Sequence, residues 1–106
     1  MPYVGGPMTE AMYYVLLALL NPAHGYRLMQ AVDEVSQGRV AMGPGTLYGV
    51  LNRMQQDGLI SLKTDDGRRK VYNITTSGQM ALQAEYTRLQ AMVRDGSIIG
   101  EGETNG

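Results

Sequence analysis

Apolar residues run almost without a break through residues 11–20, AMYYVLLALL, and then thin into spaced positions. The run predicts a first helix, with Thr9 as its N-cap and Glu10 in the first turn, where the helix dipole favours an acid. It stops near Asn21-Pro22. A second helix is predicted from about Gly25 to Val35. Leu28, Met29, Val32 and Val35 form one stripe; Arg27, Gln30, Asp33 and Glu34 form the other, and the helix ends near Gly38. Residues 43–60, GPGTLYGVLNRMQQDGLI, predict a third. Gly43 suits its N-cap and Pro44 its first position. Leu47, Val50, Leu51 and Met54 fall at i, i+3, i+4 and i+7, one buried face, and Gly58 closes the helix.

The period then changes. LISLKT and RKVYNI are short β-prone runs on either side of DDGR, a hairpin turning near Asp66-Gly67. A two-residue turn sets Leu62 opposite Val71, and a longer loop sets it opposite Tyr72. Thr75 or Thr76 caps a last helix that reaches about Arg94. In it Leu82, Tyr86, Leu89 and Val93 are spaced four, three, four, a coiled-coil-like seam. Residues 1–8 read as a flexible start, 9–75 as one domain and 76–95 as a dimerisation helix. Residues 96–106, rich in glycine, read as a disordered tail.

The first helix is apolar nearly all round and needs cover on more than one side, for which a partner subunit is the simplest source. The chain has 106 residues, enough for one small domain whose core gains from oligomerisation. Cysteine is absent, which excludes disulfides and thiolate metal sites and suits a cytoplasmic protein. The apolar run is too short to span a bilayer and lacks the flanks of a signal peptide. Net charge is only −1, but it is unevenly spread. Residues 24–74 hold seven Lys or Arg against five Asp or Glu, and the flanks hold two against five. The centre is therefore the basic part.

The expected fold is mainly α with a small β-hairpin, a winged helix-turn-helix followed by a dimerisation helix. The third helix of that arrangement lies in the major groove of DNA and the hairpin, or wing, meets the backbone or minor groove. Its outward face fits the task. It carries Gly45, Thr46, Tyr48, Gly49, Asn52 and Arg53 and has no carboxylate before Asp57. Glycines keep the helix start slim, and free N–H groups of the first turn can bind phosphate. Thr46 and Tyr48 bring hydroxyls; Asn52 matches an adenine edge and Arg53 a guanine edge or phosphate. Arg68, Arg69 and Lys70 cluster at the wing tip. His24 reads as structural, and Tyr26 and Tyr72 as core or rim. A lone His and the absence of a phosphate loop or nucleophile motif argue against an enzyme, and no cofactor or metal is expected. The alternative is a winged helix that contacts other proteins and ignores DNA.

Three segments, HGYRLMQAV, GPGTLYGVLNRMQQDGLI and GRRKVYNITTSG, together resemble the PadR family of bacterial transcriptional regulators. Pro44-Gly45-Thr46-Leu47-Tyr48 is the most specific part, and the resemblance extends over roughly residues 12–89. Gly43 stands where the family often has Ser, and Gly49 where it often has Pro. With one helix after the wing, the chain is similar to the short members. That resemblance implies a homodimer in which the last helix packs on the partner's first helix, and repression by occlusion of polymerase. Some short members hold planar aromatic drugs between subunits by a tryptophan clamp, and this chain has no Trp. The corresponding dimer and effector region here comprises Met8, Met12, Val15, Leu82, Tyr86, Leu89, Met92 and Val93. An apolar, planar small molecule is the effector expected there.

Overall fold

Thr9 opens the first helix, α1 (Glu10–Ala18), by accepting the Met12 N–H on its Oγ1 at 3.1 Å. His24, the second residue of a short strand β1 (Ala23–His24), opens α2 (Gly25–Val35) by accepting the Arg27 N–H on Nδ1 at 3.4 Å. Gly43 precedes α3 (Pro44–Gln56) and supplies no side-chain cap. Strands β2 (Ile60–Asp65) and β3 (Lys70–Ile74) form the wing. Thr75 opens α4 (Thr76–Asp95), with its Oγ1 accepting the Gly78 N–H at 3.0 Å. These elements come from a computed structural model that describes residues 6–65 and 69–100.

The mainly helical fold is as expected, with one strand more than the sequence suggested. β1 adds to the hairpin, giving an antiparallel sheet in the order β1-β3-β2, with Ala23 opposite Tyr72 and His24 opposite Val71. In the hairpin Leu62 stands opposite Tyr72, the longer-loop register, and a bulge between Leu62 and Thr64 shifts the pairing beyond it. The turn at Asp66-Gly67 and the candidate Arg68 lie outside the described residues.

α3 ends in a Schellman motif. Gly58 takes φ 79°, which a side chain disfavours, while the Gly58 N–H bonds to Gln55 O and the Leu59 N–H to Met54 O. The start of α4 is wedged against this end. Thr75 Oγ1 donates to Gly58 O at 2.7 Å, and the Thr75 N–H donates to Leu59 O. A β-carbon on Gly78 would lie 2.1 Å from Leu59 O, so only glycine fits this joint.

The core takes Val15 and Leu16 from α1 and Leu19 from its C-cap, Leu28 and Val32 from α2, and Leu47, Leu51 and Met54 from α3. Met8, Leu59, Ile60, Tyr72 and Leu82 complete it. Every residue of α1 from Ala11 on is at least half-buried within the single chain, because α2, α3 and α4 all pack on it. The single chain therefore supplies much of the cover that the apolar circumference of α1 needs. On α2 the expected stripe needs correction: Val35 is 42% exposed and Ser36 is buried in its place, its Oγ accepting the Val40 N–H where the helix ends. Residues 96–97 form a turn and 98–100 a further helical turn. Residues 101–106 and 1–5 lie outside the described residues. No helix among the described residues is long and apolar enough to cross a membrane.

Candidate nucleic-acid interface

α3 is held by Leu47, Leu51 and Met54, all fully buried, and this fixes its other face outward. Gly45, Thr46, Tyr48, Gly49, Asn52 and Arg53 are all exposed there. A β-carbon on Gly43, Gly45 or Gly49 would meet nothing within 4 Å. The chain's own packing therefore does not require these glycines, although glycine inside a helix costs about 0.5–1 kcal/mol relative to alanine. Of α1 to α4, all within the described residues, only α3 starts without a side-chain cap, and residues 43–46 at its start are exposed.

The wing and α3 face each other across a cleft of about 740 Å³. Tyr48 and Asn52 line it from α3, Arg69, Lys70 and Tyr72 from the wing, and His24, Gly25 and Tyr26 from the start of α2. Two cations and no carboxylate stand in this wall. The structure thus gathers Tyr48, Asn52, Arg69 and Lys70 in one place. Gly45, Thr46, Gly49 and Arg53 lie on the same helix face outside the cleft. Arg53 Nε lies 3.5 Å from Asp57 Oδ2 one turn on, an exposed pair of the kind that contributes little and exchanges partners readily.

The walls formed by His24, Gly25 and Tyr26 were missed by sequence reasoning, which assigned His24 and Tyr26 to structure. His24 is indeed a cap, yet it also sits in the cleft. Tyr26 is 65% exposed, neither core nor covered rim. Tyr72 is buried, as expected, and reaches the cleft floor. The missing signal was β1, which draws the start of α2 against β3.

A second surface lies on α4. Its inner side gives Gly78, Leu82 and Glu85 to the chain's own interior. Its outer side exposes Tyr86, Met92 and Val93, the last at 77%. A groove of about 450 Å³ runs there between Tyr13 of α1 and Tyr86, Leu89, Gln90, Val93 and Arg94. The expected dimer and effector set is therefore split. Met8, Val15 and Leu82 are buried in the core of the single chain. Met12 is half-buried against the same core. Tyr86, Leu89, Met92 and Val93 remain outside or at its edge.

Below this groove lies Glu85, a carboxylate only 5% exposed. Arg88 one turn on pairs with it, Nε to Oε1 at 3.0 Å and Nη2 to Oε2. The Arg88 guanidinium holds the carboxyl below its usual value; burial opposes this, and a hydrogen bond from the Met8 N–H adds to it. The phenol of Tyr13 is pushed up by burial and by its neighbours Tyr86, Tyr14 and Glu85. Arg39 completes this corner by bonding Glu10 Oε2 at 2.5 Å and the Tyr14 hydroxyl at 2.9 Å.

Residues 15–84 match the Transcriptional regulator PadR-like family, and the chain belongs to that family, whose members regulate transcription and are not enzymes. It is 36% identical over 89 residues to transcriptional regulator Rv3488 of Mycobacterium tuberculosis, covering 81% of this chain and 79% of that protein. It is 31% identical over 71 residues to transcriptional regulator YqjI of Escherichia coli, covering 65% of this chain and 34% of YqjI. The chain thus spans only about a third, or less, of the longer curated relatives it matches. The crystal structure of a PadR family transcriptional regulator from Eggerthella lenta superposes with a TM-score of 0.71 at 25% identity, covering 85% of this chain and 80% of that one.

Proposed function

We propose that this chain is a DNA-binding repressor that acts as a homodimer. The observation that carries this reading is the pairing of α3 and wing across one cleft. A slim helix face without carboxylates stands opposite Arg69 and Lys70, with no internal reason for its glycines. DNA supplies the external reason, since a helix start in the major groove needs close approach and free N–H groups. α3 then enters the groove, Tyr48 and Thr46 offer hydroxyls to phosphates, Asn52 reads a base edge, and Arg69 and Lys70 meet the backbone. Arg68 is assigned to the same wing contact.

The outer side of α4 serves the second copy. Tyr86, Leu89, Met92 and Val93 meet their equivalents or the partner's α1, and two-fold symmetry sets two α3 helices about one turn of DNA apart on a pseudo-palindromic operator. Binding occludes polymerase. An apolar, planar effector entering beside Tyr13 and Val93 would release DNA to the extent that it prefers the mis-spaced dimer.

The test is a titration of labelled DNA from upstream of the protein's own gene at several salt concentrations. Affinity should fall steeply with salt. In Arg69→Ala it should fall for all sequences alike and the slope should become shallower by about one per lost phosphate contact. Asn52→Ala should instead change preference at one base pair, by about 1–3 kcal/mol. Binding that ignores salt and sequence would leave a protein-contact module as the better reading.

A further inference from the structure

Gly25 is the first residue of α2, and nothing in its backbone calls for glycine, because its φ is not positive. A residue with a side chain would favour the helix there. What glycine supplies is space. A β-carbon at this position would lie 2.1 Å from the hydroxyl oxygen of Tyr48 and 2.7 Å from its Cζ. The far end of the Tyr48 ring thus rests in a socket on the α2 backbone, while the residue stays 42% exposed and, with Asn52 beside it on α3, faces Arg69 and Lys70 across the cleft.

The contrast with Gly78 gives this contact its meaning. There an added β-carbon meets the carbonyl oxygen of Leu59, which cannot move without shifting the joint between α3 and α4. At Gly25 the three nearest atoms all belong to the end of the Tyr48 side chain, which can swing away. The fold tolerates loss of Gly25, but the placement of Tyr48 does not. We propose that Gly25 is a positioning residue for DNA binding, seating Tyr48 so that its hydroxyl donates a hydrogen bond to a backbone phosphate at the mouth of the cleft. The proposal rests on the DNA-binding reading above.

The experiment compares wild type, Gly25→Ala, Tyr48→Phe, Tyr48→Ala and the double variant Gly25→Ala/Tyr48→Ala, by thermal melting and by titration of upstream DNA at several salt concentrations. Wild-type titration comes first. If the wild type shows no salt-dependent binding, the DNA-binding reading itself fails, whatever the variants do. If it binds, Gly25→Ala and Tyr48→Phe should each weaken binding about tenfold, the weight of one hydrogen bond to a charged group, with the salt slope kept because no cation is lost. Both should melt cooperatively near the wild-type temperature. Adding Gly25→Ala to Tyr48→Ala should cause no further loss, since the seat then holds nothing. Wild-type affinity in Gly25→Ala or in Tyr48→Phe overturns the proposal. So does an equal loss from Gly25→Ala in the Tyr48→Ala background, which would mean that Gly25 acts without Tyr48. Loss of cooperative melting in Gly25→Ala, restored in the double variant, would make the contact a folding requirement and also overturn it.

Discussion

α3 and α4 both spend one face on the same core, and their other faces are opposites. α3 turns outward glycines, hydroxyls, an amide and an arginine; α4 turns outward Tyr86, Met92 and Val93. Neither face is the Glu- and Lys-rich surface that suits contact with water alone. The difference lies in the solvent each face is built to displace. A polyanion needs a thin, uncharged or cationic approach, whereas a second apolar surface needs area. The two faces are joined rigidly, since Gly78 and Thr75 lock the start of α4 onto the end of α3. A shift at the α4 surface therefore has a short mechanical route to the angle of α3.

The largest effects should come from charging the α4 face. Leu89→Asp places a carboxylate at the edge of the core and in the proposed interface, and should cost several kcal/mol of dimer stability. Sedimentation should show monomer or aggregate. A wild type that is monomeric at micromolar concentration would remove the contrast between the two faces altogether.

Next in size is the ion pair under that face. Glu85 has its folded pKa below the ordinary glutamate value of 4.5, so its contribution is complete above that value and is lost as pH falls through the folded pKa. Thermal melts of the wild type should therefore decline on acidification below about pH 4.5, more steeply than those of Glu85→Gln. At neutral pH Glu85→Gln should cost about 1–3 kcal/mol, because Arg88 and the Met8 N–H lose their charged partner. Identical pH profiles would mean that the buried Glu85 charge does not stabilise the fold.

Much of the fold was legible because its boundaries are chemical. Thr9, Gly43-Pro44, Gly58 and Thr75 each mark a helix end by capping chemistry, and each holds. β1 was not legible, since two residues carry no alternation to read. Its absence hid the cleft wall at His24 and Tyr26, which only a third strand brings beside the wing. The hairpin register stayed open because the bulge beyond Leu62 depends on pairing, not on local pattern. The seam on α4 misled for a different reason. Spacing shows that Leu82, Tyr86, Leu89 and Val93 share a broad stripe, but it cannot divide that stripe between the chain's own core and a partner. Leu82 went to the former, and Val93 is left for the latter.

The smallest effect sharpens the α3 side. Gly45 has open space around it, so Gly45→Ala should leave stability unchanged or raise it by up to about 1 kcal/mol. DNA affinity should nevertheless fall, because the added methyl blocks close approach. Calorimetry and titration on the same sample should move in opposite directions or not together; a variant that keeps full affinity would mean that the start of α3 does not approach DNA.

The central claim, that α3 with the wing serves DNA while the outer side of α4 serves a second copy, is most directly tested by sedimentation of labelled upstream DNA with wild type, Lys70→Glu and Val93→Asp. Both variants alter exposed side chains, so each protomer should stay folded. The account predicts that the wild type forms a complex of two protomers per site, that Lys70→Glu remains a dimer but no longer shifts the DNA, and that Val93→Asp sediments as a folded monomer with weakened DNA binding. A Lys70→Glu protein that still binds DNA as the wild type does, or a Val93→Asp protein that remains dimeric, would contradict it.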